Sequence, residues 1–135
     1  MNSRLTVCLD SNIYVSAIGF GGRPLKVLEL ALEKDFLLVL SNHILNEVQK
    51  NLLHKVGLKA KEFVPVLHKL ADLATFVLPA GLMKLVDDPN DNLVLETALM
   101  GFADVLVTGD RELVNLKAMG ELKIETITIF LERWR

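Results

Sequence analysis

The sequence predicts an α/β fold: a three-layer α/β/α sandwich around a central, mainly parallel sheet of about five strands. Two observations predict it. Short β-rich runs alternate with helix-length amphipathic segments along all 135 residues, the pattern of repeated strand–helix units. The run FLLVL is apolar at every position, as a strand covered on both faces of a parallel sheet must be. No internal repeat, low-complexity stretch or linker interrupts the chain, and its length suits one domain, residues 1–135.

The elements follow in order. LTVCL (5–9) is a first strand ending at Asp10, and residues 13–18 form a short helix before the break GFGGRP. Pro24 suits the first turn of a helix running to about Glu33, with Leu25, Leu28, Ala31 and Leu32 on one side. FLLVL (36–40) is the second strand. Ser41 or Asn42 caps the next helix, which carries Ile44, Leu45, Val48, Leu52 and Val56 at helical spacing and ends at Gly57. Segment 59–73 is amphipathic through Phe63, Val66, Leu67 and Leu70, and TFVLP is a weaker strand. DDPNDN is a turn and helix start. A helix over about 91–101, a strand DVLVT (104–108), a short helix over 110–116 and a strand KIETI (123–127) follow, with IFLERW as a terminal helical turn.

Composition narrows the function. Hydrophobic residues make up 51% of the chain, enough for a sizeable core with apolar surface left for a partner. Aromatics at 6% supply a poor stacking platform for bases. Cys8 is the only cysteine, so no internal disulfide or cysteine-rich zinc site forms, and within an apolar run it reads as a buried, inert thiol. No signal pattern or membrane-spanning run is present, which fits a cytoplasmic protein with no membrane association.

Four carboxylates stand where the apolar strands run out: Asp10 after LTVCL, Glu47 on the helix after FLLVL, Asp91 after DDPN and Asp110 after DVLVTG. Ligands of open α/β sheets bind beyond the carboxyl ends of the strands. Four acids gathered there repel one another unless a cation lies between them, and hard divalent ions prefer oxygen ligands, so Mg²⁺ or Mn²⁺ is implied. That points to metal-assisted chemistry on phosphate, with nucleic acid the first substrate class. The net charge of −2 does not exclude it: without these four acids the chain carries 15 basic and 13 acidic residues.

Taken singly, each acid has an ordinary alternative. Asp10 and Asp110 suit helix N-caps, and Glu47 suits a solvated helix flank. Asp91 is more informative, because Asp91, Leu95, Ala98 and Phe102 are spaced 4, 3 and 4, placing the acid on a core-facing side where an unpaired carboxylate is costly. Asn12, Ser41, Asp88 and Thr108 are candidates for orienting the four acids, directly or through a water. Arg23, Lys26, Lys50 and Arg111 lie near the expected crevice and could contact phosphates. His43, His54 and His68 lack metal-like spacing and read as surface or boundary residues. GFGG completes no phosphate-binding fingerprint.

The stretches VCLDSNIYVSAI, LSNHILNEVQKNL and DDPNDNLVLETALMGFADVLVTGDRELVNL resemble the PIN-domain superfamily, in particular the group of toxin components related to VapC. The resemblance covers nearly the whole chain. It implies the PIN-like fold, metal ligation by acids at positions 10, 47, 91 and 110, and Mg²⁺- or Mn²⁺-dependent ribonuclease activity. It further implies a homodimer and inhibition by a small antitoxin. On this reading Asp10, Asp91 and Asp110 hold the ion, Glu47 is a ligand or water-orienting base, and cleavage leaves a 5′-phosphate and a 3′-hydroxyl. Two rivals remain open. One is a PIN-like protein-interaction module, for which Phe130, Leu131 and Trp134 would supply apolar surface or plain core. The other is an Asp-based phosphatase, disfavoured because DSN replaces the usual D-x-D.

Overall fold

The computed structural model describes residues 4–133; Trp134 lies outside them. Six strands form one sheet. They are β1 (Thr6–Leu9), β2 (Leu37–Ser41), β3 (Thr75–Val77), β4 (Val105–Val107), β5 (Ala118–Met119) and β6 (Leu122–Glu125), in the spatial order β3-β2-β1-β4-β6-β5. Neighbours are parallel except β5, which is antiparallel to β6. Seven helices alternate with them: α1 (Ser11–Phe20), α2 (Gly22–Leu32), α3 (Asn42–Asn51), α4 (Ala60–Leu73), α5 (Pro89–Met100), α6 (Arg111–Leu116) and α7 (Ile127–Arg133). In β1 and β4 every residue from Val7 to Leu9 and from Val105 to Val107 is buried. Successive side chains of a strand point to opposite faces, so both faces of the sheet are covered by helices. The expected three-layer α/β/α sandwich is what the chain adopts.

The sheet has six strands rather than about five. The extra one, β5, is a two-residue hairpin arm turned at Gly120, too short to register in any apolar pattern. FLLVL is not buried throughout: Leu37 is about half exposed, while Phe36 just before β2 packs edge-on against Phe130 of α7, with ring centroids 5.7 Å apart. Phe130 is therefore core and Leu131 packs partly buried beside it. Beyond α3 the chain passes through a π-helical turn, Leu52–Val56, before Gly57, where a continuous α-helix was expected. Leu95 and Ala98 of α5 are buried as their spacing predicts, but Phe102 is exposed because the helix stops at Met100.

Strand order positions the site. The chain builds β1, β2 and β3 outward in one direction, then returns to place β4 on the other side of β1. Such a reversal opens a crevice at the carboxyl ends of the two strands, here β1 and β4.

Close packing of α5 on β2 depends on Gly101. A Cβ there would stand 2.3 Å from Cγ1 of Val39, a buried side chain in mid-strand with no room to yield. Gly101→Ala is expected to cost about 1–3 kcal/mol by urea unfolding, with part recovered in Gly101→Ala/Val39→Ala. Equal stability of Gly101→Ala and the parent would contradict this contact.

Candidate functional site

Leu9 of β1 pairs with Val107 of β4, and the ladder extends one bond further as Asp10 N donates to Val107 O at 3.0 Å. The next side chains, Asp10 and Thr108, consequently stand side by side at the crevice. Thr108 Oγ1 donates to Asp10 Oδ2 at 2.6 Å and accepts from Asp110 N at 3.0 Å. One buried hydroxyl thus fixes both a carboxylate and the backbone of the next acid. Asp10 occupies the N-cap position of α1 but makes no capping bond. Its carboxylate is turned instead toward Thr108 and the Ser11 hydroxyl, the latter at 3.4 Å.

Asp110 is a true cap. Its Oδ1 accepts from Glu112 N at 2.9 Å and from Leu113 N at 3.3 Å, opening α6. Asp88 caps α5 through Asn90 N at 2.8 Å, leaving Asp91 in the first turn, nearly buried. Glu47 lies half-buried on α3. Asp10, Glu47, Asp91 and Asp110 line one cleft of about 250 Å³, together with Asp88 and Asn12. Ser41 does not reach it. Its hydroxyl caps α3 by accepting from Ile44 N and accepts a second bond from Thr97 Oγ1 at 2.9 Å, tying α3 to α5 inside the core.

Two residues absent from the sequence reading hold α5 in place. Glu96, buried on α5, accepts backbone bonds from Ala80, Gly81 and Leu82. One turn earlier, Asn92 accepts from Leu85 N and Val86 N and donates to Val86 O. Together they strap the loop after β3 to the helix that delivers Asp91, and Asp87 N donates to Glu112 to join that loop to α6. The available signal was an acid and an amide spaced four apart within an otherwise apolar helical stretch. The cleft also contains His43, Asn51 and Lys55, and none of Arg23, Lys26, Lys50 and Arg111 lines it.

Burial and like charge govern the acids. Asp91 is raised from 3.8 to about 7, first by burial, then by the charges of Asp110, Asp88 and Asp10, with a hydrogen bond to Asp110 adding to the rise. Asp10 is also raised, mainly by burial, with the Thr108 bond opposing and the Asp110 charge reinforcing. Burial pushes the Cys8 thiol up as well, which keeps it inert. Among the described residues no three His, Cys, Asp or Glu side chains stand together closely enough to hold a metal ion as placed. The donor set nevertheless fits a hard divalent ion. It is all oxygen, it lines one open cleft, and the proton retained by Asp91 near neutrality marks the burial and like charge that such an ion would offset.

The family model of the PIN domain matches residues 6–112. The chain belongs to the PIN domain family. Members of that family are generally nucleases, and the matched span contains all four acids of the cleft. Among solved structures, this PIN domain is similar to a chain of VapBC2 from Rickettsia felis, crystallised bound to a DNA fragment from their promoter. The identity is 20%, the TM-score 0.61, and the match covers 90% of this chain and 98% of that one. At that identity the likeness is one of fold. Comparison with curated proteins gives no match. Among the described residues no helix is long and apolar enough to cross a membrane.

Two consequences are measurable. Because the folded pKa of Asp91 lies above its ordinary value, the folded state binds the extra proton between about pH 4 and 7. The associated stability is complete below that window and lost as pH rises through 7. In EDTA, the Tm of the parent should therefore fall between pH 5 and 8. Asp91→Asn should flatten that profile and raise Tm at pH 8; a parent profile identical to that of the variant would contradict the assignment. Thr108→Val keeps the shape but removes the bond to Asp10, and should weaken Mn²⁺ binding by about 10–100-fold in calorimetry. Unchanged affinity would show that Thr108 does not orient Asp10 for an ion.

Proposed function

We propose that this PIN domain is a metal-dependent endoribonuclease and the toxin of a toxin–antitoxin pair. The observation that carries the reading is the shared cleft of Asp10, Asp91 and Asp110 at the β1/β4 crevice, with Glu47 on its wall. Asp10, Asp91 and Asp110 would hold Mg²⁺ or Mn²⁺, with Glu47 as a further ligand or as the group that orients water. When bound, the ion supplies a water of lowered pKa and offsets charge on the scissile phosphate.

The remaining work falls to the chain. Thr108 fixes Asp10 Oδ2, the α6 cap fixes Asp110 Oδ1, and the strapped α5 sets the depth of Asp91. Glu47, half-buried on the α3 wall of the cleft, would orient an attacking water or take its proton. Asn12 and Asp88 line the same cleft and can bond water within it. The VapBC2 likeness and the toxin resemblance support an antitoxin as partner. Self-association and a cytoplasmic location belong to the same reading. Exposed Phe20, Leu82 and Phe102, at 77%, 82% and 87% exposure, supply apolar surface for protein contact.

The test is cleavage of single-stranded RNA by purified protein with Mn²⁺. Asp10→Asn and Asp91→Asn are each expected to lower kcat by at least about 100-fold, the scale of losing an electrostatic group at a reacting centre. Activity equal in the parent and both variants would overturn the proposal.

A further inference from the structure

The wall of the cleft opposite the aspartates is a single stripe: His43, Glu47, Asn51 and Lys55, spaced four apart. An α-helix of about 3.6 residues per turn cannot keep such a stripe in line, because every four residues overshoot by about 40°. Continued α geometry would carry Lys55 about 120° from His43, away from the cleft. The π-helical turn Leu52–Val56 corrects this. Leu52 O accepts from Gly57 N, five residues on, and from Leu58 N at 2.9 Å. A π turn holds more residues than an α turn, so Lys55 rotates back toward the stripe. Gly19 of α1 packs against this turn, where a Cβ would crowd Val56 Cγ1 at 3.2 Å.

The outcome is one lysine in a cleft otherwise charged by carboxylates. Lys55 is exposed and, among the described residues, forms no ion pair. At the other end of the stripe, His43 lines the cleft, and its Nε2 is buried with no hydrogen-bond partner among the described residues. Lys55 lies eight residues beyond Glu47, about two helical turns along the wall, and forms no ion pair with the acids among the described residues, which leaves it for a neighbouring part of a bound strand.

We propose that the α3 wall is the substrate track and that Lys55 is a positioning residue, its ammonium holding a backbone phosphate of single-stranded RNA next to the one cleaved. This rests on the ribonuclease reading above. A phosphate held at Lys55 and the scissile phosphate at the aspartates would fix the strand along the stripe from two points. Specificity would then come from the bases between them, while Lys55 contributes affinity without sequence preference.

The experiment uses Lys55→Ala, Lys55→Arg and Lys50→Ala. Lys50 is an exposed base on the same helix outside the cleft, so it controls for net charge. Binding of a fluorescent single-stranded RNA is followed by anisotropy in the Asp10→Asn background, across salt concentrations, alongside kcat and KM in the active protein. Lys55→Ala should raise Kd and KM by about tenfold at low salt, leave kcat within about threefold, and reduce the salt slope by about 0.7, one phosphate contact. Lys55→Arg should recover most of the loss, and Lys50→Ala should change neither Kd nor slope. Cleavage by the parent with unaltered KM in Lys55→Ala, or equal losses in Lys55→Ala and Lys50→Ala, would overturn the role of Lys55 and leave the ribonuclease reading standing. Neither cleavage nor RNA binding by the parent would overturn both.

Discussion

Like-charge repulsion among Asp10, Asp91 and Asp110 is the constraint around which this PIN domain is organised. Three carboxylates in one small cleft disfavour the folded chain unless something holds them, and the fold meets that demand with backbone. Each acid sits at the start of a helix: Asp10 before α1, Asp91 in the first turn of α5, Asp110 before α6. Helix N-termini carry partial positive charge from unpaired N–H groups, which stabilises nearby anions. The termini of α1 and α6 converge because β1 and β4 lie adjacent across the reversal of strand order, and α5 brings the third through its seat on β2. The compensation is incomplete, as the proton kept by Asp91 shows. On the proposed reading, that residual cost is what a divalent cation would remove.

Helix α5 carries the largest structural share of this arrangement. It delivers Asp91, bonds Ser41 of β2 through Thr97, and straps the preceding loop through Asn92 and Glu96. Its close seat on β2 is permitted by Gly101. A shift of α5 would move Asp91 relative to Asp10 and Asp110, which are locked to each other through Thr108. The buried Asn92, Glu96 and Thr97 of this helix are each hydrogen-bonded, which is how a mostly apolar core tolerates them. The same elements that stabilise the fold therefore set the geometry of the site.

Much of this was legible in the chain. Apolar runs alternating with amphipathic segments sufficed for the sandwich and for a cleft at the strand ends, because parallel strands need covering on both faces. The inward placement of Asp91 followed from its spacing with Leu95 and Ala98. Other features depended on information that a linear pattern does not hold. Whether Asp10 caps a helix or faces the cleft is decided by Thr108, ninety-eight residues away. Ser41 looked able to reach a carboxylate, but its pairing with Thr97 required the packing of α5. Lys55 was missed because α-helical spacing points it elsewhere, and only the π turn brings it to the cleft. The hairpin arm β5 is two residues long, below any periodic signal.

Burial and like charge together keep a proton on Asp91, and a divalent ion in the cleft would displace it. Calorimetric titration with Mn²⁺ in buffers of different ionisation enthalpy counts the protons released as the ion binds. With Asp91 near 7, binding at pH 7 should release about half a proton from that group, falling toward zero by pH 8.5, and Asp91→Asn should abolish the release. Absence of Mn²⁺ binding, or binding without proton release from pH 6 to 8, would contradict that displacement.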